Sequence, residues 1–205
     1  IVQSLVGSEM CIRDRVQAEG SKIFPQLWHV GAMRKEGMAP DPKVPGYTPS
    51  GLVNTNKQAA HAMTADEVEM LIECFVKDIL KIKDLGFDGV DLHGAHGYLI
   101  DNFFWEGTNQ RDDSYGGEID KRTKFACEII KRARKEIGRD FPIAIRFSQW
   151  KQQDYEAKLA HTPDELEKFL MPLVDAGVDV FHASNRRYWE PEFEGSDLNL
   201  SLIHI

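Results

Sequence analysis

Apolar and polar residues alternate in blocks along the 205-residue chain, and these blocks predict helices and strands in turn. Between Val68 and Ile82, apolar residues recur at spacings of three and four, which is the period of an amphipathic helix. A capping box, from Thr64 to Glu67, precedes this segment, and Gly86 follows it. Two more helices that end at a glycine are predicted at Lys121–Ile137 and from Thr162 to Gly177.

Four short, mostly apolar runs between these helices predict strands at Lys22–His29, Phe87–His93, Ile143–Phe147 and Val178–Ala183. A Gly/Pro-rich stretch from Gly31 to Gly51 predicts a long ordered loop after the first strand. Strands and helices that alternate in this way indicate an α/β fold with a parallel sheet, either doubly wound or closed into a (β/α)₈ barrel. No G-x-G-x-x-G follows any of the runs, which weakens the dinucleotide-binding version.

Polar side chains lie near the ends of the predicted strands, where the active site of a barrel is formed. They are Gln26, His29, His93, His96, Arg146 and His182. A complete barrel takes about 250 residues, and only about four β/α units are visible here. The sequence therefore predicts a partial (β/α)₈ TIM barrel.

Composition narrows the possible partners. The chain has 25 Lys and Arg against 33 Asp and Glu, a net charge of −8, which argues against a nucleic-acid-binding protein. No segment approaches the roughly 20 apolar residues of a membrane span. Three widely spaced cysteines without a C-x-x-C pair suit the reducing cytoplasm. We therefore expect a cytoplasmic protein with neither a nucleic-acid nor a membrane partner, and the sequence leaves its oligomeric state open.

The two ends of the chain carry a different signal. Codons for Leu200–Ile205 (L-S-L-I-H-I) can be chosen so that the complementary strand encodes most of Met10–Arg15 (M-C-I-R-D-R). Two ends encoded by opposite strands of one short oligonucleotide resemble translated sequencing adaptor, which is excluded from fold reasoning. We therefore expect residues 1–15 and 200–205 to be adaptor-derived and residues 16–199 to be part of a longer barrel domain.

The densest cluster of candidate chemistry lies between Gly89 and Gly117. His93 and His96 are three residues apart, and Tyr98 follows across a glycine. Two imidazole N–H groups could converge on one oxygen atom, while a nearby phenol could deliver a proton. Because a lone H-x-x-H without an acidic partner is a weak metal signal, we expect no metal here.

Several segments together resemble the old yellow enzyme family, the NADH:flavin oxidoreductases. They are H-x-x-H-x-Y-L followed by T-N-x-R-x-D-x-Y-G-G, together with F-P-Q-L-W-H and I-A-I-R-F, and the resemblance runs from about Ile23 to Asn199. It implies an FMN cofactor, NADH or NADPH as hydride donor, and a small electron-poor alkene as substrate. Such substrates are α,β-unsaturated carbonyl or nitro compounds, reduced by hydride from the flavin N5.

The resemblance also implies a role for each matching residue. His93 and His96 would bind the carbonyl or nitro oxygen of the substrate, and Tyr98 would protonate the adjacent carbon. Gln26 would pair with the pyrimidine edge of FMN. Arg146 would lie near flavin N1 and O2, where a fixed cation stabilises the anionic reduced ring.

The remaining matched positions, Asn109, Arg111, Asp113 and Tyr115, are interpreted as loop scaffold. Trp28 and Trp150 either wall the substrate pocket or fill the core.

Two other hypotheses stay open at this point. One is a metal-dependent barrel hydrolase or lyase that uses His93 and His96 as ligands. The other is a truncated product without function. Barrel phosphate sites lie in the loops after strands seven and eight. The four visible units do not include these loops, so we expect the chain alone to bind FMN weakly or not at all.

Overall fold

The computed structural model describes residues 8–200. The predicted adaptor-derived residues 1–7 and 201–205 lie outside the described part. In chain order the helices are α1 (Ser8–Ala18), α2 (Ala65–Asp84), α3 (Leu99–Phe104), α4 (Ile119–Arg122), α5 (Lys124–Ile137) and α6 (Pro163–Ala176). The strands are β1 (Gln26–Leu27), β2 (Tyr47–Thr48), β3 (Leu52–Asn54), β4 (Lys57–Gln58), β5 (His61–Ala62), β6 (Val90–His96), β7 (Ile143–Lys151) and β8 (Val180–Ser184).

The central feature is a four-stranded sheet in the order β1-β6-β7-β8, with every neighbouring pair parallel. Parallel neighbours need a crossover connection, and α2, α5 and α6 lie in the three connections. This is the α/β arrangement that the alternating sequence pattern predicts. Two small two-stranded sheets, β2 with β5 and β3 with β4, lie in the connection between β1 and α2.

The three long helices begin and end close to where their capping residues predict. At the start of α2, Thr64 Oγ1 accepts a hydrogen bond from the Glu67 backbone N–H, and the Glu67 carboxylate accepts one from Thr64 N–H. The α6 helix begins at Pro163 and ends at Gly177, which takes the left-handed conformation with φ of 107°. The helix predicted over Lys121–Ile137 is observed as α4 and α5, which meet at Thr123.

The predicted strand limits need correction. Of the predicted Lys22–His29 only Gln26 and Leu27 pair with a neighbouring strand, through Asp91 and Leu92 of β6. The strand predicted to end at His93 instead runs to His96, and β7 extends to Lys151. Strand limits are set by which backbone groups find a partner in the next strand, and a single-chain hydrophobic pattern does not contain that information.

The hydrophobic core lies between the sheet and its helices. Fully buried strand residues include Val90, Leu92, Ile143 and Ile145, and they pack against residues such as Ile72, Ile79, Ile129 and Phe169 of the helices. Phe103 and Phe125 stack inside this core with ring centroids 4.1 Å apart. Since side chains alternate between the two faces of a strand, this packing directs the polar strand residues to the opposite face.

The first described helix, α1, packs against the turn before β6. The Arg13 guanidinium lies over the Phe87 ring, 5.8 Å from its centroid. The Gln17 side chain donates hydrogen bonds to the Gly86 carbonyl oxygen and to Asp88. An adaptor origin for residues 8–15 concerns the encoding DNA and stays a prediction. Among the residues that the structure describes, no helix is long and apolar enough to cross a membrane.

Candidate active site

Polar residues from four neighbouring strands share the sheet face opposite the helices. In the register of the sheet, His93 of β6 pairs with Arg146 of β7, which pairs with His182 of β8. Asp91 lies two residues before His93, on the same face, and pairs with Gln26 of β1. His93, Arg146 and His182 lie within their strands, whereas the sequence pattern predicts them near the strand ends. The parallel register brings these three residues into one row and places Gln26 and Asp91 beside it.

His93, His96 and Tyr98 form a continuous aromatic cluster at the carboxyl end of β6. The ring of His93 lies 5.2 Å from that of His96 and 5.2 Å from that of Tyr98, measured between centroids. The register of β6 and β7 shifts between Gly94 and His96. His96 also has a positive φ of 64°, which a non-glycine residue seldom adopts. The shift and the turn together place two histidines three apart on the same side.

Both histidines are neutral at physiological pH. Burial first, and the positive charge of Arg146 second, lower the pKa of His93 to about 4. The pKa of His96 is also lowered to about 4 for the same two reasons, burial first. A neutral imidazole keeps one N–H donor and one acceptor nitrogen. The pair can therefore donate hydrogen bonds to a substrate oxygen without bringing a full positive charge into the site.

Ser184, at the end of β8, is a site residue that the sequence analysis missed. Its Oγ lies 2.8 Å from His96 Nε2 and accepts a hydrogen bond from Arg146 Nη2 at 3.1 Å. The donor and acceptor in the His96 contact depend on the imidazole tautomer. The strand predicted at Val178–Ala183 stops one residue short of Ser184. Its position, a polar residue at the end of a predicted strand, is the feature of the sequence that could have identified Ser184 as a site residue.

Two tryptophans contact the cluster, which decides the question left open by the sequence. Trp28 packs edge-on against Tyr98 with centroids 5.0 Å apart, and Trp150 stacks on His96 at 4.6 Å. Both are partly exposed and neither belongs to the hydrophobic core. Gln152 donates a hydrogen bond to the Tyr98 hydroxyl at 3.1 Å. The tryptophans therefore border the aromatic cluster instead of filling the core.

Gln26 and Asp91 occupy the side of the site nearest β1. The exposed Gln26 amide donates to Asp91 Oδ2 at 2.6 Å, and His182 Nδ1 lies 3.5 Å from the same oxygen. Gln26 thus reaches the same face as His93 and Arg146. The amide oxygen and the second amide hydrogen of Gln26 can still bind a ligand.

Several buried polar atoms of this face have no hydrogen-bond partner among the described residues. They are Asp91 Oδ1, His93 Nδ1, Arg146 Nε and Trp150 Nε1. Buried polar groups are normally hydrogen-bonded, and unpaired ones indicate a missing partner. A flat heteroaromatic ring with carbonyl oxygens and ring nitrogens supplies both donors and acceptors. The residues present therefore fit a flavin ring on this face.

The loop after α3 serves as a scaffold, as the sequence analysis expects. Asn109 donates hydrogen bonds to the carbonyl oxygens of Phe103 and Tyr115. Arg111 donates to the Pro49 carbonyl oxygen at 2.8 Å and forms an ion pair with Asp113. These contacts fasten the loop to the rest of the chain.

His93 and His96 are also residue types that can bind a metal ion. Within residues 8–200, no group of three or more His, Cys, Asp or Glu side chains is arranged to hold a metal ion.

The fold agrees with comparisons against known proteins. Residues 6–192 match the family model of the NADH:flavin oxidoreductase / NADH oxidase family. The chain belongs to this family. The resemblance stated from the sequence motifs is thus confirmed.

Three named relatives are similar to this chain in sequence. The chain is 36% identical over 175 residues to an NADH oxidase of Thermoanaerobacter brockii, covering 84% of this chain and 26% of that protein. It is 33% identical over 170 residues to 12-oxophytodienoate reductase 2 of Arabidopsis thaliana (78% and 45%). It is also 33% identical over 225 residues to a cinnamate reductase of Clostridium sporogenes (97% and 32%).

The old yellow enzyme homologue from Zymomonas mobilis superposes with a TM-score of 0.72 at 27% identity, over 84% of this chain and 50% of that structure. The four-stranded parallel sheet is therefore part of a TIM barrel, as predicted. The chain spans half or less of the length of each of these proteins.

Proposed function

We propose that the protein is an FMN-dependent NAD(P)H oxidoreductase that reduces activated C=C bonds of α,β-unsaturated carbonyl or nitro compounds. The observation that carries the proposal is the cluster of two neutral histidines and a tyrosine. His93 and His96 lie with ring centroids 5.2 Å apart, and Tyr98 lies equally close to His93. Family membership and the reductase names of two relatives support the same reaction class.

Residues on the shared sheet face would hold the cofactor. Arg146, with an unpaired buried Nε, offers a fixed cation to the pyrimidine part of the flavin. Gln26 offers an amide donor and an amide acceptor to the same edge. When bound, FMN supplies the chemistry of hydride transfer from NADH or NADPH to the acceptor.

The substrate oxygen would be bound by the histidine pair. His93 Nδ1 has no partner among the described residues, and His96 is neutral because burial and Arg146 hold its pKa low. Two neutral N–H donors polarise a carbonyl or nitro group, and they stabilise the negative charge that develops on its oxygen during reduction. The adjacent C=C bond thereby becomes a better acceptor at its β carbon.

Tyr98 would complete the reaction as the proton donor. Its hydroxyl accepts a hydrogen bond from Gln152, and its ring packs against His93 and Trp28. Proton donation from a positioned side chain contributes about 10²- to 10⁴-fold to such reactions. Tyr98 would deliver its proton to the carbon next to the group that the histidines bind.

The test uses the full-length protein, expressed from the source gene and purified. We expect a yellow protein whose flavin absorbance is lost on anaerobic addition of NADH or NADPH and returns on addition of 2-cyclohexenone, cinnamate or a nitroalkene. His93→Ala should abolish the recovery of flavin absorbance by the acceptor, while the rate of flavin reduction by the nucleotide stays close to wild type. Tyr98→Phe should slow the recovery of flavin absorbance by about 10²-fold or more.

Other outcomes would contradict the proposal. A colourless protein that takes up no FMN, or a flavoprotein whose reoxidation by these acceptors is indifferent to His93 and Tyr98, would rule it out. Activity that is lost on chelation and restored by a divalent metal would favour the metal-dependent alternative instead.

A further inference from the structure

A buried ion pair lies beneath the turn that carries His96 and Tyr98. Lys151 Nζ and Asp101 Oδ1 are 2.7 Å apart, and both side chains have no exposed surface. Lys151 ends β7, and Asp101 lies in the first turn of α3. The two residues therefore join the end of one barrel strand to the helix that follows the neighbouring strand.

The pair also contacts the backbone of the turn and of β7. Asp101 Oδ2 accepts a hydrogen bond from the Gly97 N–H at 2.6 Å. Lys151 Nζ donates to the Ser148 carbonyl oxygen at 2.9 Å. The hydroxyl of Ser148 in turn accepts a hydrogen bond from the His96 N–H at 2.9 Å. Both backbone N–H groups that precede Tyr98 in the turn are thus bound by this network.

The turn itself has an unusual conformation. His96 and Gly97 have positive φ angles of 64° and 79°. A non-glycine residue in this region is strained and persists only where its surroundings hold it. The Gly97 carbonyl oxygen is also bound, by Asn102 Nδ2 at 2.9 Å and by Gln153 Nε2 at 2.7 Å. Every polar backbone group of Gly97 therefore has a side-chain partner.

Stability alone does not account for a charged pair at this position. Removing two charges from water is costly, and a buried ion pair is often no more stabilising than apolar residues of the same volume. Apolar residues could fill the space, but they could not accept the Gly97 N–H or fix its direction. What the pair adds is a directed acceptor at one backbone atom between His96 and Tyr98.

We propose that Asp101 and Lys151 are positioning residues that hold the His96–Gly97–Tyr98 turn, and so set the distance and direction of the proton donor relative to the histidine pair. The inference rests on the proposed function for what the turn does. The positioning of the turn itself is a property of this chain, and it has a test that needs no acceptor.

The first test compares Asp101→Asn and Lys151→Met with the wild type in the full-length flavoprotein. We expect each variant to slow reoxidation by 2-cyclohexenone about tenfold or more, because each leaves a buried group without its charged partner. Reduction by the nicotinamide nucleotide should change less than about threefold, since the unpaired group disturbs the turn that carries Tyr98 more than the residues proposed to hold the flavin. The neutral double variant Asp101→Asn/Lys151→Met should recover part of the lost rate.

The control variant is Ile79→Ala, which removes buried volume from α2 away from the turn. It should lower the unfolding midpoint without slowing reoxidation by the acceptor more than reduction by the nucleotide. If Asp101→Asn and Ile79→Ala lose the two half-reactions in equal proportion, the pair is merely structural and the proposal fails.

The second test measures hydrogen exchange in peptides that cover the turn. The Gly97 amide should exchange slowly in the wild type, about tenfold or more faster in Asp101→Asn, and at the wild-type rate in Ile79→Ala. Fast exchange in the wild type would overturn the positioning role whatever the enzyme does. If the Gly97 amide exchanges slowly but the protein lacks reductase activity, the proposed function is wrong and the positioning of the turn by Asp101 and Lys151 still holds.

Discussion

The indole of Trp150 stacks on the imidazole of His96, with ring centroids 4.6 Å apart and planes 28° from parallel. Trp150 lies near the end of β7, while His96 is the last residue of β6. The contact covers one face of a ring whose Nε2 is held by Ser184. His96 is therefore fixed both in the plane of its ring and across it.

Replacement of Trp150 by alanine should weaken acceptor binding. An aromatic pair contributes about 0.5–1.5 kcal/mol beyond burial, so the Michaelis constant for 2-cyclohexenone should rise about two- to tenfold. Trp150→Phe keeps a stacking ring and should remain near wild type. The control is Trp189→Ala, a tryptophan that is 67% exposed. An unchanged Michaelis constant in Trp150→Ala would show that the stacking does not orient His96.

Ser184→Ala should lower kcat/KM for the acceptor by about tenfold. The change leaves His96 Nε2 and Arg146 Nη2 without the oxygen that both contact, and an unpaired buried polar group costs about 1–3 kcal/mol. Ser184→Thr retains the hydroxyl and serves as the matched control. Steady-state kinetics with a saturating nucleotide measures the effect. Equal values for alanine and threonine variants would exclude a role for the hydroxyl.

Gly97→Ala should destabilise the protein more than Gly20→Ala. Both glycines have similar positive φ angles, 79° and 75°, and a side chain in this region costs about 1–2 kcal/mol. A Cβ at Gly20 meets no atom within 4 Å, whereas one at Gly97 would lie 1.7 Å from Gln153 Oε1. Moving Gln153 breaks its hydrogen bond to the Gly97 carbonyl oxygen and adds about 1 kcal/mol.

Denaturant unfolding of the two alanine variants measures this difference. Removing the Gln153 side chain in the Gly97→Ala background should bring no further loss, because the hydrogen bond is already broken. If the two glycine variants unfold at the same denaturant concentration, the close approach of Gln153 to Gly97 does not contribute to the free energy of unfolding.

The free energy of unfolding should fall as the pH is lowered from about 6.5 to about 4. The pKa values of His93 and His96 are lowered to about 4 by burial and by Arg146, whereas the unfolded side chains have the ordinary value of 6.5. In this window the unfolded chain binds protons that the folded chain does not, so acid favours unfolding. Below about 4 both states are protonated and the loss from these groups is complete.

Urea unfolding at a series of pH values tests this dependence. The double variant His93→Asn/His96→Asn should have a smaller slope between pH 6.5 and 4 than the wild type. The difference between the two slopes isolates the histidines from the carboxyl groups that titrate in the same range. Parallel slopes would mean that these histidines are not held neutral in the folded protein.

Much of the framework could be predicted from local patterns. The capping box at Thr64 and Glu67 and the Pro163–Gly177 boundaries are confirmed because capping depends on residues adjacent in the sequence. Family motifs likewise identified the H-x-x-H-x-Y cluster. The strand limits could not be predicted in the same way, because they depend on pairing with a distant strand. Strand β1 contains only the two residues that pair with Asp91 and Leu92 of β6.

By itself, the sequence determined the parallel α/β class, the helix ends and the family. It also predicted His93, His96 and Tyr98 as the centre of the candidate site. Only the tertiary structure decided which distant side chains join them. Ser184 reaches His96 across β7, and Lys151 reaches Asp101 from the end of that strand. These contacts depend on strand register and on a positive φ at His96, which arise from long-range packing and leave no periodic signal in the chain.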